Sequence, residues 1–557
     1  MEQIRFLLAI ALSFLVLLVW QNYFIEKPPK QLPDELAENQ VSELPDALKQ
    51  SNNQEKVLLT DTNQQPKNPE IKPPEVSSEK PAKEIIVQTP LFEVKISERG
   101  AAINTITLFA YKTTLAEDST FMNVVSLEDL GTALVSFKND VIPNLEKVVY
   151  DAQTSQGMIQ VSAPKDLQFI YRLPQGIRIV KTYFFDPNSY MIGLTVVVEN
   201  PTDFPIGDQL QISMRNHIPE NVGGYIFEGP AIHLNGTLEE IAIDDIADQG
   251  VFSGNVSWAA IEDRYFASAV LPLDTQENIQ THIWLNDKNI QIDLQMPHVN
   301  IPPQKQQLYN FSLFFGPKSL EILSGLENNF NEIINFGWFD IIARPCLYLM
   351  NLIYQYIPNY GIAIILLTIL IKIIFWPLGN KSYQSMNQMR KLQPKMKDLQ
   401  ERYKDDRQKM NQELMNLYRV YKVNPLGGCI PMLLQIPVFI ALYRMLYQAI
   451  ELRHAPFFLW INDLSAPDRL FQFEGYIPLM QEPYGIPVLT IIMGGTMFLQ
   501  QKMSPPPGDP SQAKMMMMLP VFFTFIFINF PAGLVLYWLV NNVASILQQY
   551  YINKKYE

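Results

Sequence analysis

The sequence predicts an α-helical polytopic membrane protein that carries one large all-β domain outside the membrane, and three observations predict it. Apolar stretches of membrane length crowd the segment after residue 338, whereas the first 335 residues hold one. Between residues 85 and 316 the pattern changes to alternation of apolar and polar residues, the period of half-buried strands. Charge is divided as well: residues 379–424 carry eleven Lys/Arg against five Asp/Glu, a local +6 in a chain of net charge −13. The remainder is thus at −19, the asymmetry expected when one basic loop stays inside and an acidic domain is exported.

Residues 6–20 are apolar apart from Ser13 and follow Arg5, so they read either as a secretory signal or as an uncleaved anchor. No small-x-small cleavage site follows, and Gln21, Asn22, Tyr23 and Phe24 make an interfacial end with aromatic belting. Residues 1–24 are therefore read as an anchor. Residues 25–84 are rich in Pro, Gln, Asn, Glu and Lys without hydrophobic periodicity, and a segment that buries so little surface is a disordered tether.

The β domain is placed at 85–335. Phe92, Val94 and Ile96 share one phase; Val180, Thr182 and Phe184, then Ile290, Ile292 and Leu294, repeat the pattern. Asp186-Pro187-Asn188 and Asn235-Gly236 supply turns between runs. Roughly 230 residues exceed what one open sheet covers, so two packed sheets are expected.

Five candidate spans follow, at 360–378, 426–450, 486–500, 515–530 and 534–551. A sixth apolar stretch, 338–357, contains Asp340, Arg344 and Pro345. If it crossed the membrane the basic loop would lie outside, so it is assigned to an amphipathic helix lying in the outer interface. With the N-terminus in the cytoplasm, alternation then puts 379–424, 502–514 and the tail 552–557 inside, and every one of these is basic. Both termini are expected in the cytoplasm.

Cys346 and Cys429 fall on opposite sides in this topology, which makes a disulfide implausible. The five histidines show no ligand spacing, so no metal or other cofactor is expected. The basic segment is not a DNA-binding domain, although it leaves contact with ribosomal RNA open.

Lys372 lies within the apolar run 362–376, about one turn from its cytoplasmic end. It reads either as a snorkelling lysine, with its stem buried and its head at the interface, or as a charge facing a water-filled cavity. Thr368 lies one turn earlier on the same face, and other helices offer Gln435, Asn541 and Asn542. In the basic loop, Met386, Met389, Leu392, Met396 and Leu399 recur at helical spacing, as do Met410, Leu414, Leu417 and Tyr421. They predict a helical hairpin over 381–423. Its stripes either pack on each other or, being methionine-rich, form an adaptable surface for varied apolar segments.

Asn424-Pro425-Leu426-Gly427-Gly428-Cys429, Gln435-Ile436-Pro437, Ala455-Pro456-Phe457, Leu459-Trp460-Ile461, Gln501-Lys502-Met503 and Phe530-Pro531-Ala532-Gly533-Leu534 together resemble, in order and spacing, the YidC family of Gram-negative membrane protein insertases. The resemblance implies a five-helix insertase core at 358–551 around a hydrophilic groove open to cytoplasm and lipid but closed toward the periplasm, with a periplasmic β-supersandwich. It implies an insertase and chaperone in the inner membrane without covalent chemistry, ATP or cofactor. Its partners would be nascent membrane proteins, the lipid bilayer, the Sec translocon and, weakly, the ribosome. Lys372 stands where the family has a groove arginine, which keeps the charge but loses the planar fork. Thr368 and Trp538 also align with groove positions, Trp538 where tyrosine is usual.

Two other function classes fit parts of the chain. A small-solute transporter would also carry a polar cavity at membrane depth, but no internal repeat is visible in the five helices. A sugar-binding or sugar-modifying module would suit a large β domain, yet no pair of carboxylates or histidines stands out in it.

Overall fold

The computed structural model describes residues 81–556 except 140, 141, 143, 220–225, 275, 276, 287, 405, 422, 424–429 and 505–509. The expected anchor, nearly all of the tether and the Asn424–Cys429 motif lie outside the described residues. Two compact units are present, one of residues 81–111 with 121–316 and one of 112–120 with 317–556.

The first unit is all strand apart from short helical turns. Its largest sheet has nine strands, with Met191–Asn200 near the middle, antiparallel both to Arg178–Phe185 and to Lys305–Pro317. Opposite it lies a five-stranded sheet containing Leu210–His217 and Asn289–Gln295. Asn216 donates to Ser268 Oγ at 3.1 Å from one sheet to the other, and Met214, Trp258, Ile292 and Leu294 are buried. A second five-stranded sheet includes Glu84–Gln88, Phe92–Ser97 and Ala102–Lys112. The unit is a β-sandwich, as the alternation requires.

The expected inward phase holds for Phe92, Val94 and Ile96 and for Ile290, Ile292 and Leu294, all buried. Asn235 and Gly236 both take positive φ and close the hairpin between Gly229–Leu234 and Thr237–Glu240. The strand at 178–185 is the exception: Phe184 is exposed, and Ile179, Lys181, Tyr183 and Phe185 point inward. A lysine in the inward phase disguises it. Its ammonium donates to the carbonyls of Gly100 at 3.0 Å, Ala101 at 2.8 Å and Ala133 at 2.9 Å, so all three of its protons are used. Burial pulls this amine down to about 7.

The second unit is helical. Its main helices are α1 (Asp340–Tyr356), α2 (Tyr360–Ile374), α3 (Trp376–Arg402), α4 (Arg407–Val420), α5 (Ile430–Gln448), α6 (Val488–Met503), α7 (Pro510–Phe527) and α8 (Ala532–Tyr556). In α1, Ala343, Leu347 and Met350 form a buried stripe at spacings of three and four, while Ile341, Leu352 and Tyr356 are exposed. Among the described residues no single helix is both long and apolar enough to cross a membrane; α2 and α3, taken together across a 65° bend, pass that test. Helix α6 has 16 residues, the described apolar part of α7 is Lys514–Phe527, and α8 carries Asn541, Asn542, Gln548 and Gln549 among its apolar residues.

Close helix approach depends on small residues. A Cβ on Gly494 of α6 would sit 2.1 Å from Thr524 Oγ1 of α7, so that crossing is open only to glycine.

Candidate functional site

Helix α2 begins at Asn359, whose side chain accepts the Ile362 N–H at 3.0 Å and caps the first turn. From there to Ile374 the helix is apolar apart from Tyr360, Thr368 and Lys372. Helix α8 runs beside it in the same direction. A Cβ on Gly533 would meet Ile364, Lys372 reaches Asn541, and a Cβ on Gly379 just beyond the bend would meet Gln548, so positions on both chains advance together.

The charge meets its partners midway. Lys372 Nζ donates to Asn541 Oδ1 at 3.1 Å and to Ser545 Oγ at 2.7 Å. These acceptors are one turn apart on α8, and Ser545 in turn donates to the Asn541 carbonyl at 2.7 Å. From α5, Gln435 Nε2 donates to the same Asn541 Oδ1 at 2.8 Å. Three helices thus converge on one amide oxygen. Lysine has three N–H donors and two are engaged here; Lys372, Gln435 and Asn541 are all half-buried.

The other expected residues surround this cluster differently. Thr368 is buried and donates to Ile364 O at 2.6 Å within its own helix. Trp538 packs edge-on to Phe439 at 4.5 Å and to Phe527 at 4.9 Å between centroids, an aromatic layer one turn of α8 before Asn541. Asn542 turns the other way, to Thr496 Oγ1 of α6 at 3.3 Å. Sequence reading passed over Ser545, Tyr383 and Gln548. Tyr383 of α3 is hydrogen-bonded to Ser545, and Gln548 donates to Trp376 O at 3.0 Å and Asn380 Oδ1 at 2.9 Å, bracing the α2–α3 bend. The spacing of Asn541, Ser545 and Gln548 was the signal, a polar stripe at intervals of four and three along an apolar helix.

In the hairpin of α3 and α4, Leu392, Met396 and Val423 form a buried cluster flanked by Met389, Leu414, Leu417 and Tyr418. Met389 and Met396 therefore pack within the hairpin. Met386 and Met410 are half-buried outside the cluster, and Met415 is 63 % exposed. Tyr418, not the expected Tyr421, completes the inner stripe, and Tyr421 instead lies under the Lys395 ammonium, 4.3 Å from its ring centre.

Residues 352–557 match the family model described as the 60Kd inner membrane protein, and residues 84–349 match that of the YidC periplasmic domain. The membrane protein insertase YidC of Syntrophus aciditrophicus (strain SB) is 38 % identical, across 99 % of this chain and 99 % of its own. That of Geobacter sp. (strain M21) is 40 % identical over 86 % of each chain. A solved YidC insertase with its first transmembrane domain resolved aligns with 85 % of this chain and 93 % of its own at 17 % identity and a TM-score of 0.37, too loose a match for comparing geometry. Identity at this level along nearly the whole length, with both halves matched in order, places the chain in the YidC family of inner-membrane protein insertases, those with a periplasmic β-sandwich domain.

Proposed function

We propose that this chain inserts and helps fold nascent inner-membrane proteins by receiving a short polar tail in the groove around Lys372 while the client's apolar segment passes into lipid. The observation that carries this reading is the Lys372 ammonium, half-buried on an apolar helix and held by Asn541 and Ser545 with one donor to spare. A polar tail crossing hydrocarbon leaves groups unsatisfied at a cost of roughly several kcal/mol each, and a polar half-channel shortens that dry path.

In this reading α2, α5, α6, α7 and α8 form the membrane core, the residue 1–24 anchor crosses beside them, and both termini are cytoplasmic. The domain limits are those of the sequence: tether 25–84, β domain 85–335, interfacial helix 338–357 and tail 552–557. The hairpin meets the client first, through Met386, Met389, Met396 and Met410 when its arms part and through Met415 when they do not. Gln435, Asn541 and Trp538 line the groove, and Thr368, buried and bonded within its own helix, backs it. Burial of the client's own helix in lipid drives insertion, and the membrane potential assists acidic tails. Sec translocon and ribosome are partners of the same cycle.

The test is insertion of a radiolabelled small membrane protein with an acidic tail into liposomes holding only this purified chain, scored by protease protection. Protection is expected, and Lys372→Glu should lower it most for acidic tails. Equal insertion of acidic and neutral tails by Lys372→Glu would remove the electrostatic role. No protection above empty liposomes, with folded and oriented protein, would overturn the insertase reading.

A further inference from the structure

Residues 470–486 lead into α6, in the loop that the alternation of spans puts on the outer side, and they expose large apolar side chains. Phe471 is 74 %, Tyr476 80 % and Leu479 77 % exposed, with Phe473 and Ile486 exposed as well. A set of this kind within so short a segment marks a surface that something covers. The exposed charges of the segment are Glu474 and Glu482, so it offers anionic headgroups or an acidic partner no attraction.

The backbone enforces this display. Phe471 and Leu479 take φ of 51° and 68°, a left-handed conformation that bulky residues adopt where their surroundings impose it. Leu470 and Ile486 exchange backbone hydrogen bonds at 2.9 and 2.7 Å, and the Phe473 N–H donates to Tyr484 O at 3.1 Å, so the segment folds back on itself. Tyr476 packs edge-on to Tyr484 at 6.3 Å between centroids. Arg469 donates to Pro483 O at 2.9 Å and Ile528 O at 2.8 Å, and Asn529 Nδ2 donates to Leu479 O at 2.7 Å. Phe471 is thereby held close to the start of α6, and Leu479 just past the end of α7.

Those two helix ends identify the covering. Ile491 and Ile492 in the first turns of α6 are exposed, as are Phe525 and Ile526 in the last turn of α7, and on helices of a membrane core such faces meet lipid. The loop residues carry the same apolar surface one step further along the axis, to the level at which aromatic side chains collect at a bilayer boundary. We propose that residues 470–486 dock on the membrane, with Phe471, Phe473, Tyr476 and Leu479 seated among the headgroups and upper acyl chains of the outer leaflet. The occupant is lipid with a zwitterionic headgroup, held by apolar burial rather than by charge. The proposal rests on the reading of α6 and α7 as membrane helices and is independent of the Lys372 groove.

The experiment uses the full chain with Cys346→Ser and Cys429→Ser and one reporter, Gln472→Cys, labelled with an environment-sensitive fluorophore. It is reconstituted in vesicles of phosphatidylethanolamine and phosphatidylcholine, doped with phosphatidylcholine that bears a nitroxide near its headgroup. A second reporter, Phe498→Cys, lies about 15 Å along α6 from Val488 and is read with a nitroxide near the acyl-chain end. The Gln472 reporter is expected to be quenched by the shallow nitroxide and shielded from aqueous iodide. Phe471→Ser with Leu479→Ser should remove about half of that quenching or more, because two apolar anchors are lost, and leave the Phe498 reporter unchanged. A Gln472 reporter open to iodide, or one whose lipid quenching survives both serines, would overturn the proposal with the membrane helices intact. Shielding from iodide without lipid quenching would show protein on the loop, a second copy if dilution in the bilayer relieves it, and would overturn the proposal as well. No deep quenching at Phe498 in folded protein would instead overturn the membrane reading of α6.

Discussion

The Lys372 ammonium and the Asn541 side-chain oxygen are 3.1 Å apart, and that oxygen is the point at which α2, α5 and α8 meet through polar atoms. A residue shared in this way couples its neighbours. Asn541→Ala should cost about 1–2 kcal/mol of interaction with Lys372 and reduce insertion of acidic-tailed clients. Combined with Lys372→Met it should add almost nothing to the loss caused by Lys372→Met alone. Protease protection of the four species in a double-mutant cycle measures the coupling, and strict additivity would show that the two side chains act separately.

Lys181 gives the β domain a pH dependence. Its amine is drawn down by burial to about 7 from an ordinary value of 10.5. Between these values the unfolded chain binds more protons than the folded one, so this group's contribution to stability rises with pH, is full above 10.5 and is lost as pH falls through 7. Lys181→Met strands the Gly100 and Ala133 carbonyls, while Ala101 O keeps the Tyr183 hydroxyl at 2.7 Å, and should destabilise the domain by about 2–4 kcal/mol. Urea midpoints of the parent and the variant at pH 7 and pH 9.5 test both statements: the deficit of the variant should be larger at pH 9.5.

The same lysine shows where the sequence misled. Alternation identified the β domain and the inward phases around Phe92 and Ile292, because apolar residues there have one face to bury. At 178–185 the phase was misread, since Lys181 finds its acceptors in carbonyls near Gly100 and Ala133, distant in sequence. Lys372 and Asn541 were legible as misplaced polarity in apolar helices. Their shared contact was not, because 169 residues separate them and only the parallel course of α2 and α8 makes them neighbours. The bend at Phe375 was invisible for the same reason: Gln548, which braces it, donates to the Trp376 carbonyl and to Asn380, 172 and 168 residues away.

Helix contact at Gly494 should tolerate no side chain. Thr524 cannot simply rotate aside, because its hydroxyl donates to Pro520 O at 2.7 Å. Gly494→Ala is expected to destabilise the helical unit by about 1–3 kcal/mol, and Thr524→Ala in the same chain should recover most of it. Thermal unfolding in detergent distinguishes this from a helix-propensity effect, which would make Gly494→Ala stabilising with either partner.

The two readings of the hairpin methionines separate by exposure. Met396→Ala, within the buried cluster, should speed amide exchange throughout α4. Met415→Ser should leave exchange unchanged and lower photocross-linking of clients to α4. Equal exchange rates in both variants would mean that the cluster does not hold the arms together.

The bend between α2 and α3 makes the hairpin a lever. Helix α3, with 27 residues, is about 40 Å long, and its near end is braced by Gln548, one turn beyond Ser545 on α8. A tilt of about 5° at the bend would carry the far tip through about 3.5 Å, on a rod of that length. The force that tilts the rod bears on the helix turn that grips the lysine, so a load at the far tip and the hold on Lys372 are mechanically in series.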